Sequence, residues 1–267
     1  MITTRTISKS MAEILEELEL NQTQYITLEE LAFLAKKHHV LTKPSIIASR
    51  LKSTGWFLPT GQRGVWEFAS AAMAGPYSKN DPLKDVKAFL LHNTSLDCYV
   101  CLHTAAWALG LADRVPLHKE LAFSQPPRKR VPAGIKVYQY HPVIELKRVR
   151  DVPCLAPESI LVHIATKPDI VDSWESVMEW LPDVVYESKV EMILAEIDGR
   201  TDSVKRRTGY FLQGMYPDAS NAILDVIQKP VSKIRFGPRK RALRNDEKWK
   251  ISDTVLPFSP NEMEKVK

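Results

Sequence analysis

Two short stretches of this 267-residue chain hold residue types that could do covalent or metal chemistry. Cys98-Tyr-Val-Cys101 has the spacing of half a zinc site, with His103 and Cys154 as remote candidate ligands. A structural zinc site needs four ligands, and no second Cys-x-x-Cys or histidine pair follows. The plainer reading is two small buried residues at a strand-to-helix junction. Residues 182–189, PDVVYESK, contain the Pro-Asp and Glu-x-Lys parts of a widespread nuclease metal site. In that site the two parts lie on adjacent strands, well separated in sequence. Asp183 and Glu187 are only four positions apart, at a helix junction. No Gly-rich phosphate loop, Gly-x-Ser-x-Gly elbow or His-Glu-x-x-His is present. The chain reads as a non-enzyme with no catalytic residues, no metal and no cofactor.

The stronger signal is a pattern of charge. Before residue 36 the chain carries Glu13, Glu16, Glu17, Glu19, Glu29 and Glu30. Residues 36–66 hold Lys36, Lys37, Lys43, Arg50, Lys52 and Arg63 and no acid. Such a face suits the dense negative charge of DNA, where neutralising phosphates releases condensed counterions. Ser45, Ser49 and Lys52 fall at i, i+4 and i+7, one face of a helix whose buried stripe is Ile47, Ala48 and Leu51. Ile46, Arg50 and Ser53 lie beside them. Arg50 can read a guanine or bind a phosphate, and Ile46 suits a thymine methyl. Gln62 and Arg63 sit between Gly61 and Gly64. A lone guanidinium on a narrow hairpin tip fits a narrow minor groove or a phosphate. The plain alternative is a solvated basic turn, and a domain of this kind can also bind protein or RNA.

Further basic runs, Arg128-Lys129-Arg130 and Arg239-Lys240-Arg241, define a possible second basic surface, with Lys147, Arg148, Arg150, Arg235 and Arg244 near them in sequence. Runs of this length are usually solvated loops. Arg206-Arg207 is a weaker candidate.

These residues need elements to hold them. Residues 8–20 have helical spacing of Met11, Ile14, Leu15 and Leu18. Thr27 and Glu30 have capping-box spacing before a second helix over 28–38. Pro44 suits the first turn of a third helix, which Gly55 ends. WFLP and VWEF, joined by residues 60–64, read as a hairpin. Three helices and a hairpin in this order are the parts of a winged helix-turn-helix. Residues 69–82 are a connector. Beyond it come a helix over 83–92, a strand over 96–100, a helix over 104–111 and strands over 117–123, 134–140 and 143–154. From residue 157 the pattern is helical, and after Pro230 it is basic and irregular, with a frayed end. The fold class expected is α+β: a winged helix-turn-helix over 1–75, then a mixed α/β domain over 76–267 with a helical C-terminal half.

The totals agree with this. The length exceeds one average domain. An apolar content of 44% supports real cores, and a net charge of +5 is too mild to imply nucleic acid by itself. No window approaches the ~18 uncharged apolar residues of a membrane span. The three cysteines fit a reducing compartment, so a cytoplasmic protein is expected.

The sequence of GQRGVWEF, GPYSKNDPL, YVCLHTAAWALGLADRVP, VPCLAPESILVHI and RRTGYFLQ resembles the AbiEi family, antitoxins of type IV toxin–antitoxin systems. The resemblance covers roughly residues 8–250. TAAWALGL and VPCLAPESIL are its most specific pieces. The family usually has Ser where Cys101 stands, which weakens any metal role there. The resemblance implies a winged helix that binds operator repeats in double-stranded DNA and represses its own operon. It implies a larger domain that counteracts a nucleotidyltransferase toxin, often without a tight complex. The DNA role then falls on Lys43, Ser45, Ser49, Arg50, Lys52 and Arg63, and the antitoxin role on the region from residue 83 onward. Two alternatives stay open: a stand-alone winged-helix transcription factor with a ligand-sensing or dimerisation domain, and a DNA-directed nuclease.

Overall fold

A computed structural model describes residues 7–73, 77–127, 130–227 and 232–266. The chain divides into two compact units, Met1–Leu96 with Pro127–Ile135, and Asp97–Pro126 with Lys136–Lys267.

The first unit begins with α1 (Lys9–Leu20), β1 (Tyr25–Thr27), α2 (Leu28–Lys37) and α3 (Pro44–Ser53). Met11, Ile14, Leu15 and Leu18 turn inward from α1, and Leu31, Leu34 and Ala35 from α2. The capping box forms as its spacing requires. Thr27 Oγ1 accepts from Glu30 N–H at 3.1 Å, and Glu30 Oε2 accepts from Thr27 N–H at 2.8 Å. Pro44 opens α3, and Gly55, at φ +78°, turns the chain out of it. The wing is β2 (Phe57–Pro59) and β3 (Val65–Phe68), and β1 completes an antiparallel sheet in the order β1-β3-β2. Trp56 and Phe57 both pack against Phe68, with ring centroids 6.3 and 6.4 Å apart. This is a winged helix-turn-helix. Three-residue β1 carries too little alternation to be read from sequence.

The unit does not end at the hairpin. Glu67, 1% exposed on β3, accepts from Ser78 Oγ at 2.7 Å and from Lys79 N–H at 2.8 Å. Asp81 pairs with Lys87 at 2.7 Å and accepts from the Tyr25 hydroxyl at 3.4 Å. These contacts fasten α4 (Lys84–His92) and its approach to the sheet. The first unit therefore extends beyond the boundary expected at residue 75, itself outside the described residues.

The second unit is larger and mixed. It opens with β4 (Cys98–Val100), α5 (Leu102–Leu109), β5 (Lys119–Phe123), β6 (Ile135–Gln139), β7 (Lys147–Val149) and β8 (Val152–Cys154). These strands form one sheet in the order β6-β5-β4-β8-β7, with β4 and β8 parallel through Val100 and Cys154. Then come α6 (Pro157–Thr166), α7 (Trp174–Met178), α8 (Leu181–Glu187), α9 (Val190–Ile197), α10 (Asp202–Leu212) and α11 (Pro217–Val226). Residues 157–165 of α6 are all buried, so its polar members Glu158, Ser159 and His163 lie inside the unit. A helix buried all round is a core element.

The C-terminal region is more ordered than its sequence suggests. β9 (Ile234–Phe236), β10 (Arg244–Asp246) and β11 (Ile251–Asp253) form a sheet in the order β10-β11-β9. Buried Arg206 of α10 holds it, donating to the carbonyls of Trp249, Ser232 and Lys250. The tail is docked rather than frayed: Val266 N–H donates to Met215 O at 2.9 Å, and Lys265 pairs with Asp218 at 2.9 Å.

Candidate nucleic-acid interface

On α3, Ile47, Ala48 and Leu51 are at most 2% exposed and fix the helix to the core of the first unit. The opposite face is left open. Lys43, at the N-cap, and Ser45, Ile46, Ser49, Arg50, Lys52 and Ser53 are all exposed there, Ile46 by 44%. The helix period makes them one surface.

The hairpin tip is shaped from within. Thr60 Oγ1 donates to Val65 O at 2.8 Å and accepts from Gln62 N–H at 3.2 Å. Gly64, at φ +81°, closes the turn. Arg63 is exposed. Gln62 is half-buried, and its amide folds back to donate to Arg63 O at 3.4 Å.

The sequence order hid three acids that reach this region from other helices. Glu17 of α1 takes Lys37 and His38, each at 2.7 Å, and Glu13 reaches His38 at 3.4 Å. The hydrogen bonds from Lys37 and His38 hold the Glu17 carboxyl below its usual range. Asp85 of α4 accepts from Gly61 N–H at 2.7 Å, and a Cβ on Gly61 would sit 3.0 Å from its carboxyl carbon. Glycine at 61 therefore serves the docking of the wing on α4. Nothing in the order of residues 60–64 could announce a partner in α4. Lys36, Lys43, Arg50, Lys52 and Arg63 have no ion pair among the described residues.

The other candidates fall elsewhere. Arg128 and Lys129 lie outside the described residues. Arg130 is exposed in the first unit, while Arg239, Lys240 and Arg241 are exposed in the second, so the two runs belong to different units. Arg206 and Arg207 are structural: Arg207 donates to Thr166 O at 3.0 Å and Arg235 O at 2.7 Å. Arg150 lies over the Trp107 ring at 4.4 Å. Arg244 is committed to Asp253 at 2.7 Å and to Leu256 O at 2.9 Å.

The two chemical-looking motifs have structural settings. Cys98, Cys101 and Cys154 are buried, and burial pushes the Cys98 and Cys154 thiols up to about 12. Cys101 is the N-cap residue of α5, at the expected strand-to-helix junction. No group of three or more metal-ligating side chains occurs among the described residues. Asp183 and Glu187 are both exposed on α8, one turn apart, not on adjacent strands. No described helix is long and apolar enough to cross a membrane.

Residues 98–214 match the AbiEi antitoxin C-terminal domain. No curated protein matches the chain significantly. Among solved structures, the crystal structure of the RV2827C protein from Mycobacterium tuberculosis is similar. It has a TM-score of 0.75 and 21% identity, covering 95% of this chain and 94% of that one. At that identity the likeness is one of fold.

Proposed function

Because residues 98–214 match the AbiEi antitoxin C-terminal domain, we propose that this protein is a non-catalytic antitoxin that also represses its own operon by binding DNA. The observation that carries the DNA half is the open face of α3. Lys43, Arg50 and Lys52 are exposed around Ser45, Ile46 and Ser49, with no acidic partner among the described residues, and Arg63 is exposed on the adjoining wing. In a helix-turn-helix the second helix of the motif, here α3, enters the major groove. Arg50 reads base edges, Lys43 and Lys52 neutralise phosphates, and Arg63 reaches a backbone or minor groove. The operator is double-stranded DNA carrying repeats. The second unit opposes a nucleotidyltransferase-type toxin, and a stable complex with it is not required.

A gel-shift titration on the upstream DNA, with random DNA as competitor at two salt concentrations, tests the DNA half. Shifts that survive competitor and weaken with salt are expected. A shift erased equally by random DNA would refute sequence-specific repression. The antitoxin half is tested by co-expression: the intact chain should rescue growth from a nucleotidyltransferase encoded beside it.

A further inference from the structure

The second unit has an open cleft of about 930 Å³, within the size range of binding clefts at roughly 300–1,000 Å³. Leu109, Ile144, Leu146 and Met192 give it aliphatic walls. Glu158 is the distinctive member. It lines the cleft, yet it is only 5% exposed. Its Oε1 accepts from Lys189 N–H at 2.9 Å, which ties the start of α6 to the start of α9 and fixes the carboxylate. Its Oε2 has no partner among the described residues and is not sealed inside the unit. A buried carboxylate with one oxygen held and the other open to a cleft lacks a cation. Lys147, Arg148 and Lys189 border the same cleft, but neither they nor Glu158, Glu187 and Glu191 form an ion pair among the described residues. Charges of both signs therefore stand apart around aliphatic walls.

Backbone geometry supplies an independent sign. β7 is an edge strand of the five-stranded sheet. Residues 144–148 line the cleft in an unbroken run that leads into β7. A turn at Arg150 and Asp151, at φ +51° and +64°, joins β7 to β8, with Val149 facing Val152. In a hairpin closed by such a turn the flanking pair exchanges both its hydrogen bonds, so Arg148 points its N–H and C=O away from β8. Those groups are open to one more strand. Lysine and arginine on an edge discourage indiscriminate apolar pairing, so the added strand must complement them. No aromatic side chain lines the cleft, so a nucleobase would find no stacking platform there.

We propose that this cleft takes an extended segment of a partner protein, added to the free edge of β7, with a lysine of that segment paired to Glu158. Aliphatic side chains of the segment pack on Leu109, Ile144, Leu146 and Met192, and an acidic side chain further along meets Lys147 or Arg148. Main-chain bonds hold such a strand, and alternate side chains give it specificity. This site is independent of the α3 surface, and its failure would leave the DNA reading untouched.

Calorimetric titration of the full chain tests the site. The probes are acetyl-Lys-Val-Leu-Val-Glu-amide and acetyl-Glu-Val-Leu-Val-Lys-amide. They run the charges in both directions along β7 and place lysine, leucine and glutamate on one face. One of the two is expected to bind saturably. Replacing its lysine by norleucine should weaken binding about tenfold or more, as loss of a charged hydrogen bond implies. N-methylation of the leucine or of the valine after it removes alternate main-chain donors, so one of these two forms should bind severalfold more weakly. Glu158→Gln should bind the lysine and norleucine forms alike. Should Glu158→Gln fail to fold, the peptide variants decide the matter on the parent protein. No saturable heat from either pentapeptide, norleucine binding as tightly as lysine, or unchanged binding of both N-methyl forms overturns the assignment. Saturation by uridine monophosphate in place of the peptides would assign the cleft to a nucleoside phosphate and overturn it as well.

Discussion

Gly209 lies within α10, where an alanine would ordinarily be an improvement. On an open helix face Gly→Ala gains about 1 kcal/mol from backbone entropy and propensity. Here a Cβ would stand 2.0 Å from Trp249 Cη2, with two more indole carbons within 2.6 Å. Favourable carbon contacts lie near ~3.5–4.0 Å, so the indole must move by more than an ångström. Trp249 is not free to move. It is fully buried, and its Nε1 donates to Gln213 at 3.1 Å. Its N–H donates to Asp246 at 2.8 Å, and its carbonyl accepts from buried Arg206. Overpacking of this kind costs about 1–3 kcal/mol and sometimes more, and a rigid neighbour places this site at the high end. Gly209→Ala should therefore lose about 1–2 kcal/mol net. For a unit of this size that is a fall of roughly 2–8 °C in Tm. The assay is thermal unfolding followed by near-ultraviolet circular dichroism. Trp249→Phe removes the clashing atoms, so the double variant should be more stable than the two single losses predict, by about 1 kcal/mol. A Gly209→Ala protein that melts at or above the parent, or strict additivity in the cycle, would refute the argument from close packing.

The remaining expectations can be checked with small amounts of protein. If Lys52 lies on a phosphate, Lys52→Ala should lower the slope of log K against log salt by about 0.9 and weaken binding on all sequences alike. Arg50→Ala should instead relax discrimination at one base pair by about 1–3 kcal/mol, read from a panel of single-base operator variants. Burial pushes the His163 imidazole down to about 3, and its Nδ1 has no partner among the described residues. The unfolded chain, titrating near 6.5, then binds the proton first. Stability falls as pH drops from about 6.5 toward 3, by about 1.4 kcal/mol per unit once well below 6.5. His163→Phe, which keeps a ring against Tyr140, should flatten that part of the profile in urea midpoints taken at several pH values. With all three cysteines buried and their thiols raised, a disulfide reagent at pH 8 should label none in the native protein and three after denaturation. Rapid native labelling would show that the strand-to-helix junction opens.

What the sequence alone determined was local. The capping box at Thr27, proline at the start of α3, Gly55 after it and the stripe of Ile47, Ala48 and Leu51 are set by neighbours within one or two helical turns. For the same reason the exposed face of α3 was legible: once three positions are committed inward, the helix period assigns the others outward. The wing could be read from two aromatic-rich runs around a glycine-flanked turn. Tertiary structure decided whatever depends on distant partners. Asp85 reaches the wing from α4, Glu17 takes Lys37 and His38 from α1, and Glu67, polar in a strand pattern, is buried by Ser78 and Lys79. Arg206 looked like a surface cation because its composition says so, but the carbonyls of Ser232, Trp249 and Lys250, all distant in sequence, satisfy it inside the protein. The strands β9 to β11 are three residues each, too short for alternation to show, and exist because Trp249 and Arg206 give them something to pack on. Leu109, Glu158 and Met192 share a cleft for the same reason: side chains far apart in sequence meet only when the sheet and helices close around them.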